Sequence, residues 1–354
     1  MKTQRLSNFE LLRIVAMLMI IGTHCIASSH AFEYFNSGSA SYIVLTVLQA
    51  LCNLGVNLFV LITGYFMIEK TQVSIRRPIG LLLDVAIYGF ALYCISVLLG
   101  LQPFGLPGAV KSIAPLLAGY RWFIKAYIVL YLLIPYINLV VEKLTRKQYI
   151  TLLIVLFLLL SVWPTFLPSP PIDDYGYGFV HLIFMYIIGS GLRRFSWEFS
   201  TKSIWGLFFV SFACTEALYL FDTIPFLATA HGYVGAYNSV FNVLTSVALF
   251  LLFSKIIVQS QWVNRFAASA LAVFLIHGDY NIMDYLFNEL LKVPQYYQFT
   301  LWPVLFIICI LGVYIVCAII DMVKRKLLDK PINWIFDRIK FVNYSITTQK
   351  GCSI

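Results

Sequence analysis

The stretch TLLIVLFLLLSVW (151–163) contains no charged residue. It is the centre of a predicted membrane span over about 149–167, because a helix needs roughly 20 apolar residues to cross a bilayer. The whole 354-residue chain has the same character: 60% of its residues are hydrophobic, 12% are charged, and its mean hydropathy is +0.85. Soluble domains usually carry about 25% charged residues, so a water-soluble fold and a disordered chain are both excluded.

Nine further segments are apolar enough for a span. The predicted fold class is therefore all-α, a polytopic transmembrane helical bundle of about 10 transmembrane helices. The ten predicted spans are about 9–27, 44–68, 79–99, 122–141, 149–167, 177–194, 203–220, 235–258, 267–289 and 299–322. The ninth is the least regular, because His277 and Asp279 interrupt it.

The net charge of +9 is explained by topology, and no nucleic-acid partner is predicted. Of the 25 Lys and Arg residues, 20 fall in the two tails and in alternate loops, whereas 3 fall in the opposite loops. Cytoplasmic loops are enriched in Lys and Arg, so both termini are predicted to be cytoplasmic, in a multi-pass protein of the inner plasma membrane. The predicted domains are a membrane-embedded domain (1–322) and a basic cytoplasmic tail (323–354) that suits contact with membrane lipid.

Ionisable residues inside spans are costly and tend to mark function. Arg13 and His24 are 11 residues apart in NFELLRIVAMLMIIGTHC (8–25), which on a helix is about 16 Å of rise and about 20° past three turns. They should share one face at different depths, which suits one elongated ligand touched at two points. Alternatively, Arg13 extends to lipid phosphate and His24 bonds another helix. Glu10 is expected to orient the Arg13 guanidinium, or simply to start the helix.

Other polar residues lie toward the predicted outer side. At the start of the fourth span, Trp122 and Tyr127 fit interfacial anchors, whereas Lys125 lies one turn inside. Seven more residues, each alone more typical of a structural role, together with His24 predict a polar outer cavity: His181, Glu216, Asn238, Asn242, His277, Asp279 and Asn281.

The predicted cytoplasmic loop after the second span supplies three cations, Lys70, Arg76 and Arg77. These are good phosphate partners, although the enrichment of cytoplasmic loops in Lys and Arg also accounts for them. No nucleotide-binding fingerprint and no metal triad is visible in the sequence, so no metal is predicted.

Five segments resemble, in order, the membrane-bound acyltransferase 3 family. In the first, Arg13 and His24 match the family's basic residue and histidine with ten residues between them. The other four are NLGVNLFVLITGYFMIEK (53–70), YRWFIKAYIVLYLLIPYIN (120–138), VHLIFMYIIGSGLRR (180–194) and AVFLIHGDY (272–280). The resemblance covers nearly the whole chain. It departs where Thr63 replaces the usual serine and where two cytoplasmic arginines are adjacent instead of spaced.

The resemblance implies an O-acyltransferase that moves an acyl group, commonly acetyl from cytoplasmic acetyl-CoA as co-substrate, to a hydroxyl of a cell-surface polysaccharide (such as a capsule) or its lipid-linked precursor. His24 is predicted to be the general base, and an acyl-histidine intermediate stays possible. The residues predicted to bind the acyl-CoA phosphates are Arg13, Arg76, Arg77 and Lys70. The residues predicted to serve the acceptor or the thioester oxyanion are Lys125, Tyr127, Trp122 and His277.

A competing interpretation is a membrane transporter or flippase of a glycolipid or polar solute. Ten spans with polar groups near the midplane suit that function equally well. The sequence shows no inverted repeat that would support it. Consumption of acyl-CoA by the purified protein would separate the two.

Overall fold

The computed structural model describes residues 6–114, 121–167, 169–221 and 235–348. Its α-helices are α1 (Ser7–Ser28), α2 (Ala31–Tyr34), α3 (Ala40–Cys52), α4 (Gly55–Met67), α5 (Arg76–Leu98), α6 (Leu106–Ile113), α7 (Trp122–Lys143), α8 (Arg146–Phe157), α9 (Trp163–Phe166), α10 (Phe179–Arg194), α11 (Thr201–Phe221), α12 (Val240–Ser254), α13 (Gln261–Ala267), α14 (Ala270–His277), α15 (Val293–Tyr296) and α16 (Trp302–Arg338). The other described elements are the π-helical turns Leu158–Val162 and Tyr285–Leu290, the 3₁₀ turn Lys340–Asn343, and strands β1 (Gln72–Ser74) and β2 (Ser345–Thr347).

Seven helices within the described ranges are long and apolar enough to cross a membrane. They are Ser7–Ser28, Ala40–Met67, Arg76–Leu98, Trp122–Lys143, Arg146–Phe166, Thr201–Leu220 and Trp302–Arg338. Each overlaps a predicted span, and Trp302–Arg338 extends 16 residues beyond the tenth. The prediction of an all-α polytopic membrane protein is confirmed. The orientation of the termini stays a prediction.

The other three predicted spans are shorter or interrupted. The sixth and eighth correspond to α10 and α12, which have 16 and 15 residues. Within the ninth, α14 ends at His277 after eight residues. The helix stops there because Gly278 follows, and because Asp279 Oδ1 then accepts hydrogen bonds from the backbone N–H and the side-chain amide of Asn281, at 3.0 and 2.8 Å.

The chain divides into two compact units. Unit 1 comprises Met1–Phe59, Leu158–Tyr175 and Glu198–Ile319. Unit 2 comprises Val60–Phe157, Gly176–Trp197 and Ile320–Ile354.

In unit 1, α1 packs against α3, α12, α13 and α14. The end of α12 lies beside the start of α1, and we infer from this that the two helices run antiparallel. Asn8 Nδ2 donates to the Phe253 carbonyl at 3.1 Å, and the rings of Phe9 and Phe250 have centroids 5.3 Å apart. The start of α12 therefore lies beside the second half of α1, where His24 is found.

The first turn of α4 lies against the middle of α1. A Cβ atom on Gly55 would lie 2.6 Å from the Ala16 carbonyl oxygen and 2.8 Å from Ile20 Cγ1. Only glycine permits this approach, which brings α4 to the turn of α1 that precedes His24.

In unit 2, a close helix contact joins α4 to α10. A Cβ atom on Gly64 would lie 2.2 Å from the Tyr186 carbonyl oxygen, and one on Gly189 would lie 2.4 Å from the Leu61 carbonyl oxygen. The two glycines thus face the partner helix reciprocally, as small residues do where membrane helices approach closely.

The C-terminal segment of unit 2 is an ordered part of its fold. The predicted domain boundary after residue 322 falls inside α16, whose 37 residues extend over about 55 Å and so exceed a hydrocarbon core of about 30 Å. Beyond α16, β2 pairs antiparallel with β1, with Val73 opposite Ile346. Residues 349–354 of the predicted tail lie outside the described residues.

Candidate functional site

Two histidines of unit 1 form the core of the site. His24 lies in the last two turns of α1, and His277 is the last residue of α14. His24 Nδ1 and His277 Nε2 are 3.1 Å apart. His277 is fully buried, whereas His24 is half-buried, so a ligand can reach only the His24 ring. The sequence predicts both residues for the site but not their contact.

The hydrogen bonds of His277 determine the proton positions when both rings are neutral. His277 Nδ1 lies 2.6 Å from the Val273 carbonyl oxygen, which can only accept, so Nδ1 carries the proton. In the neutral ring, His277 Nε2 is then an acceptor, and His24 Nδ1 donates to it. This places the lone pair of His24 on Nε2, which has no hydrogen bond to any of the described residues. His24 Nε2 is available to take a proton from a bound substrate.

Gly278 allows the His24 ring to lie against the end of α14. A Cβ atom at this position would lie 3.2 Å from His24 Cε1 and 2.9 Å from the Phe274 carbonyl oxygen. Both contacts are tighter than side chains normally make. Residue 278 therefore limits where the imidazole can sit.

Arg13 lies on the same unbroken helix as His24. Its Nη1 donates to Glu10 Oε2 at 2.6 Å, and 29% of the Arg13 side chain is exposed. Both predictions for Glu10 fit the structure, because it contacts the guanidinium and also stands in the first turn of α1. Helix geometry places Arg13 on the face of His24 and about 16 Å from it along the axis. The bond of His24 to another helix also occurs, and it leaves Nε2 unoccupied.

Most of the residues predicted for a polar outer cavity belong to unit 1. They are Glu216, Asn238, Asn242, His277, Asp279 and Asn281. His181 belongs to unit 2, where it is buried in α10.

Three predicted acceptor or oxyanion residues lie at the start of α7 in unit 2. Trp122 packs against Tyr177, with ring centroids 4.6 Å apart, and Tyr127 stacks on Phe123 at 5.7 Å. Lys125 is half-buried, and its ammonium makes no hydrogen bond or ion pair within the described part of the chain. Trp122 and Tyr127 are typical of an interfacial anchor, whereas the Lys125 ammonium is available to contact a ligand.

The three cations predicted for phosphate have different surroundings in unit 2. Arg76 Nη1 lies 2.5 Å from Asp337 Oδ1, and its Nη2 lies 2.8 Å from Asn333 Oδ1. Arg76 thereby connects the start of α5 to the end of α16. Arg77 and Lys70 are exposed.

Comparison with known proteins decides the family. Residues 6–322, most of the 354-residue chain, match the acyltransferase domain of the acyltransferase 3 family. The chain belongs to this family. The comparison with curated proteins gave no match, and neither did the comparison with solved structures. The resemblance found in the sequence is confirmed, and the protein is a multi-pass membrane acyltransferase.

Two site features of this acyltransferase are missed by sequence reasoning. The first is the pairing of His24 with His277, since 253 residues separate them and only the packing of α14 on α1 brings them together. The second is Gly278, which stands in IHGD as an ordinary helix-ending glycine. An isolated histidine followed by Gly-Asp at the end of an apolar run is the only signal for either.

Proposed function

We propose that this acyltransferase moves an acetyl group from cytoplasmic acetyl-CoA to a hydroxyl of a cell-surface polysaccharide or of its lipid-linked precursor. His24 is the general base. The observation that carries the proposal is the bond between His24 Nδ1 and His277 Nε2, because it leaves the lone pair on the half-buried His24 Nε2. A serine protease orients its catalytic histidine in the same way, with an acceptor on Nδ1.

In the transfer step, the His24 imidazole alone accepts the proton and then donates it. His24 Nε2 takes the proton of the acceptor hydroxyl as the oxygen attacks the thioester carbonyl carbon. The C–S bond then breaks, the acetyl ester forms, and the CoA sulfur leaves with the proton from the imidazolium. His277 stays neutral and holds the imidazolium by accepting from Nδ1–H.

Arg13 supports the proposal as a binding group for the anionic end of acetyl-CoA. Glu10 holds its guanidinium in place, and part of the Arg13 side chain is exposed. The 11-residue separation from His24 then matches an extended donor, with phosphate at one end and thioester at the other. The phosphate-binding roles of Lys70, Arg76 and Arg77, which belong to unit 2, stay predictions from the sequence, and Arg76 is engaged by Asp337.

Two further points concern the role of Lys125 and the transporter interpretation. Lys125 belongs to unit 2, and its role toward the acceptor or oxyanion stays a prediction from the sequence. Membership of an acyltransferase family favours acyl transfer over the transporter interpretation. A transporter would consume no acyl-CoA.

The test replaces His24 with alanine and compares it with His30→Ala. His30 follows α1, is 66% exposed and pairs with Glu33, so it provides a matched histidine outside the site. Membranes with equal amounts of each protein receive radiolabelled acetyl-CoA, and label in the surface polysaccharide is counted. His24→Ala should lower transfer by about 10²–10⁴-fold, whereas His30→Ala should not change it. Normal transfer by His24→Ala would remove the proposed base.

A further inference from the structure

Three buried oxygen atoms at the start of α12 have no hydrogen-bond partner among the described residues. They are Asn238 Oδ1, Ser239 Oγ and Asn242 Oδ1. The exposed fractions of these residues are 4%, 1% and 1%. Buried polar atoms are nearly always bonded, so two amide oxygens that accept and one hydroxyl that can accept or donate, all within five residues, indicate that a ligand supplies their partners.

The segment that carries these atoms is held firmly by its neighbours. Asn57 Nδ2 donates to the Tyr237 carbonyl at 2.9 Å, and Asn53 Nδ2 donates to the Gly235 carbonyl at 3.2 Å. Asn242 Nδ2 donates to the Ala236 carbonyl at 2.7 Å, so its Oδ1 points away from that bond. The acceptors are therefore fixed in place before any ligand binds.

This cluster lies near the depth of His24. Ser239 is 14 residues before Phe253, or about 21 Å, and His24 is 16 residues after Asn8, or about 24 Å, on two antiparallel helices whose ends touch. Asn57 also lies on the first turns of α4, which contact α1 one turn before His24. Both measures place the cluster within about one helical turn of the depth of His24 along α1.

A row of polar side chains leads from the cluster toward the end of α1 and the start of α3. Asn53 Nδ2 donates to Tyr219 OH at 3.1 Å, and further along α3 Thr46 Oγ1 donates to Glu216 Oε2 at 3.0 Å. The second oxygen of Glu216 is buried and also without a partner within the described chain. In the predicted topology this row ascends to the outer surface, where a glycan would arrive.

We propose that Asn238, Ser239 and Asn242 form the subsite that binds the acceptor sugar, with Glu216 along its entry. The inference rests on the proposed function, because it assigns the acceptor of that reaction. A sugar ring presents several hydroxyls on one small body, and these can donate to both Asn oxygens and pair in either direction with Ser239 Oγ. A phosphate or carboxylate ligand has no donor for the two Asn oxygens and does not fit. The subsite holds the sugar so that one hydroxyl faces His24 Nε2.

The experiment measures acetyl transfer by the purified full-length protein in lipid nanodiscs. The acceptor probe is the producing cell's surface polysaccharide, stripped of esters by mild alkali. The variants are Asn238→Leu and Ser239→Ala. The matched control is Ser246→Ala, two turns further along α12, where the buried hydroxyl already bonds the Asn242 carbonyl at 2.7 Å.

Each subsite variant should raise the KM for polysaccharide roughly three- to tenfold, the effect of one lost hydrogen bond, without changing the KM for acetyl-CoA. Ser246→Ala should leave both constants unchanged. The melting temperature without ligand should stay equal or rise in the subsite variants, because each removes a buried polar atom that lacks a partner.

An unchanged polysaccharide KM in both subsite variants, while the wild type still transfers acetyl, would overturn the subsite and leave the proposed function standing. A lower melting temperature with unchanged polysaccharide KM would identify a structural water site and overturn it as well. If the wild type releases no CoA with this polysaccharide, the proposed function fails and the subsite falls with it.

Discussion

At the scale of single residues, the tautomer of His24 is the property on which the proposed chemistry depends. A free imidazole exchanges its proton between both nitrogens, whereas His24 has an acceptor on Nδ1. His277 is therefore a positioning residue that acts through His24. Its own position is fixed by the bond from Nδ1 to the Val273 carbonyl.

Replacing His277 should test that role. His277→Phe keeps a ring of similar size but removes the acceptor, so kcat should fall at least about tenfold while the KM for acetyl-CoA stays unchanged. His277→Gln, whose amide oxygen can accept from Nδ1–H, should recover part of kcat. Steady-state kinetics at matched protein level provides both constants. If the two variants lose protein level and activity alike, His277 serves packing alone.

Gly278 offers a second test at this scale, with Gly312→Ala as its control. Alanine at 278 would place Cβ 3.2 Å from His24 Cε1, so the ring must shift. We expect kcat to fall about tenfold, since misplacement by about 1 Å can cost about 10²-fold. A Cβ on Gly312 meets nothing within 4 Å, and that variant should keep full activity. Equal kinetics in the two variants would contradict this account of Gly278.

Sequence reasoning succeeds for local residue pairs and fails for distant ones. Glu10 and Arg13 are three apart on a helix, so their contact follows from helix geometry alone. The contact of His24 with His277 depends instead on tertiary packing. No rule of spacing relates two residues on helices as far apart in the chain as α1 and α14.

At the scale of elements, the contact between α4 and α10 depends on two glycines. A Cβ on Gly64 would overlap the Tyr186 carbonyl, which belongs to helix backbone and cannot turn aside. Gly64→Ala should therefore destabilise the protein by about 1–3 kcal/mol, the usual cost of overpacking. Thermal unfolding in detergent would measure the loss.

The control for this prediction is Gly80→Ala in α5. A Cβ there meets only Phe336 Cε2, at an ordinary 3.8 Å. Since alanine favours a helix over glycine by about 1 kcal/mol, this variant should melt at the same temperature or higher. A Gly64→Ala protein with the same melting temperature as Gly80→Ala would show that α4 and α10 can move apart without loss of stability.

Element boundaries show where hydropathy is informative. The fifth predicted span coincides with Arg146–Phe166, because a long run without charge has no alternative in a membrane. The ninth predicted span is interrupted at His277-Gly278-Asp279. Hydropathy does not reveal this break, because it averages over the three residues whereas the backbone responds to each of them. Polar residues in the middle of an apolar segment should be interpreted as possible helix ends.

At the scale of the whole molecule, the distribution of Lys and Arg predicts how the chain crosses the membrane. Alkaline phosphatase is active only outside the cytoplasm, so fusions report the side of each position. A fusion at the C-terminus and one after Lys143 should be inactive, whereas one after Gly105 should be active. An active C-terminal fusion would invert the orientation and place Arg13 on the wrong side for a cytoplasmic donor.

The unbroken α1 has one more consequence, which concerns how such sequences can diverge. Insertion of one residue between Arg13 and His24 would turn one side chain by about 100° relative to the other, and a deletion would do the same in reverse. Point substitutions in this interval only alter packing, so they can accumulate. An insertion or a deletion turns Arg13 and His24 onto different faces of the helix. Natural variants should therefore keep ten intervening residues even where those residues differ.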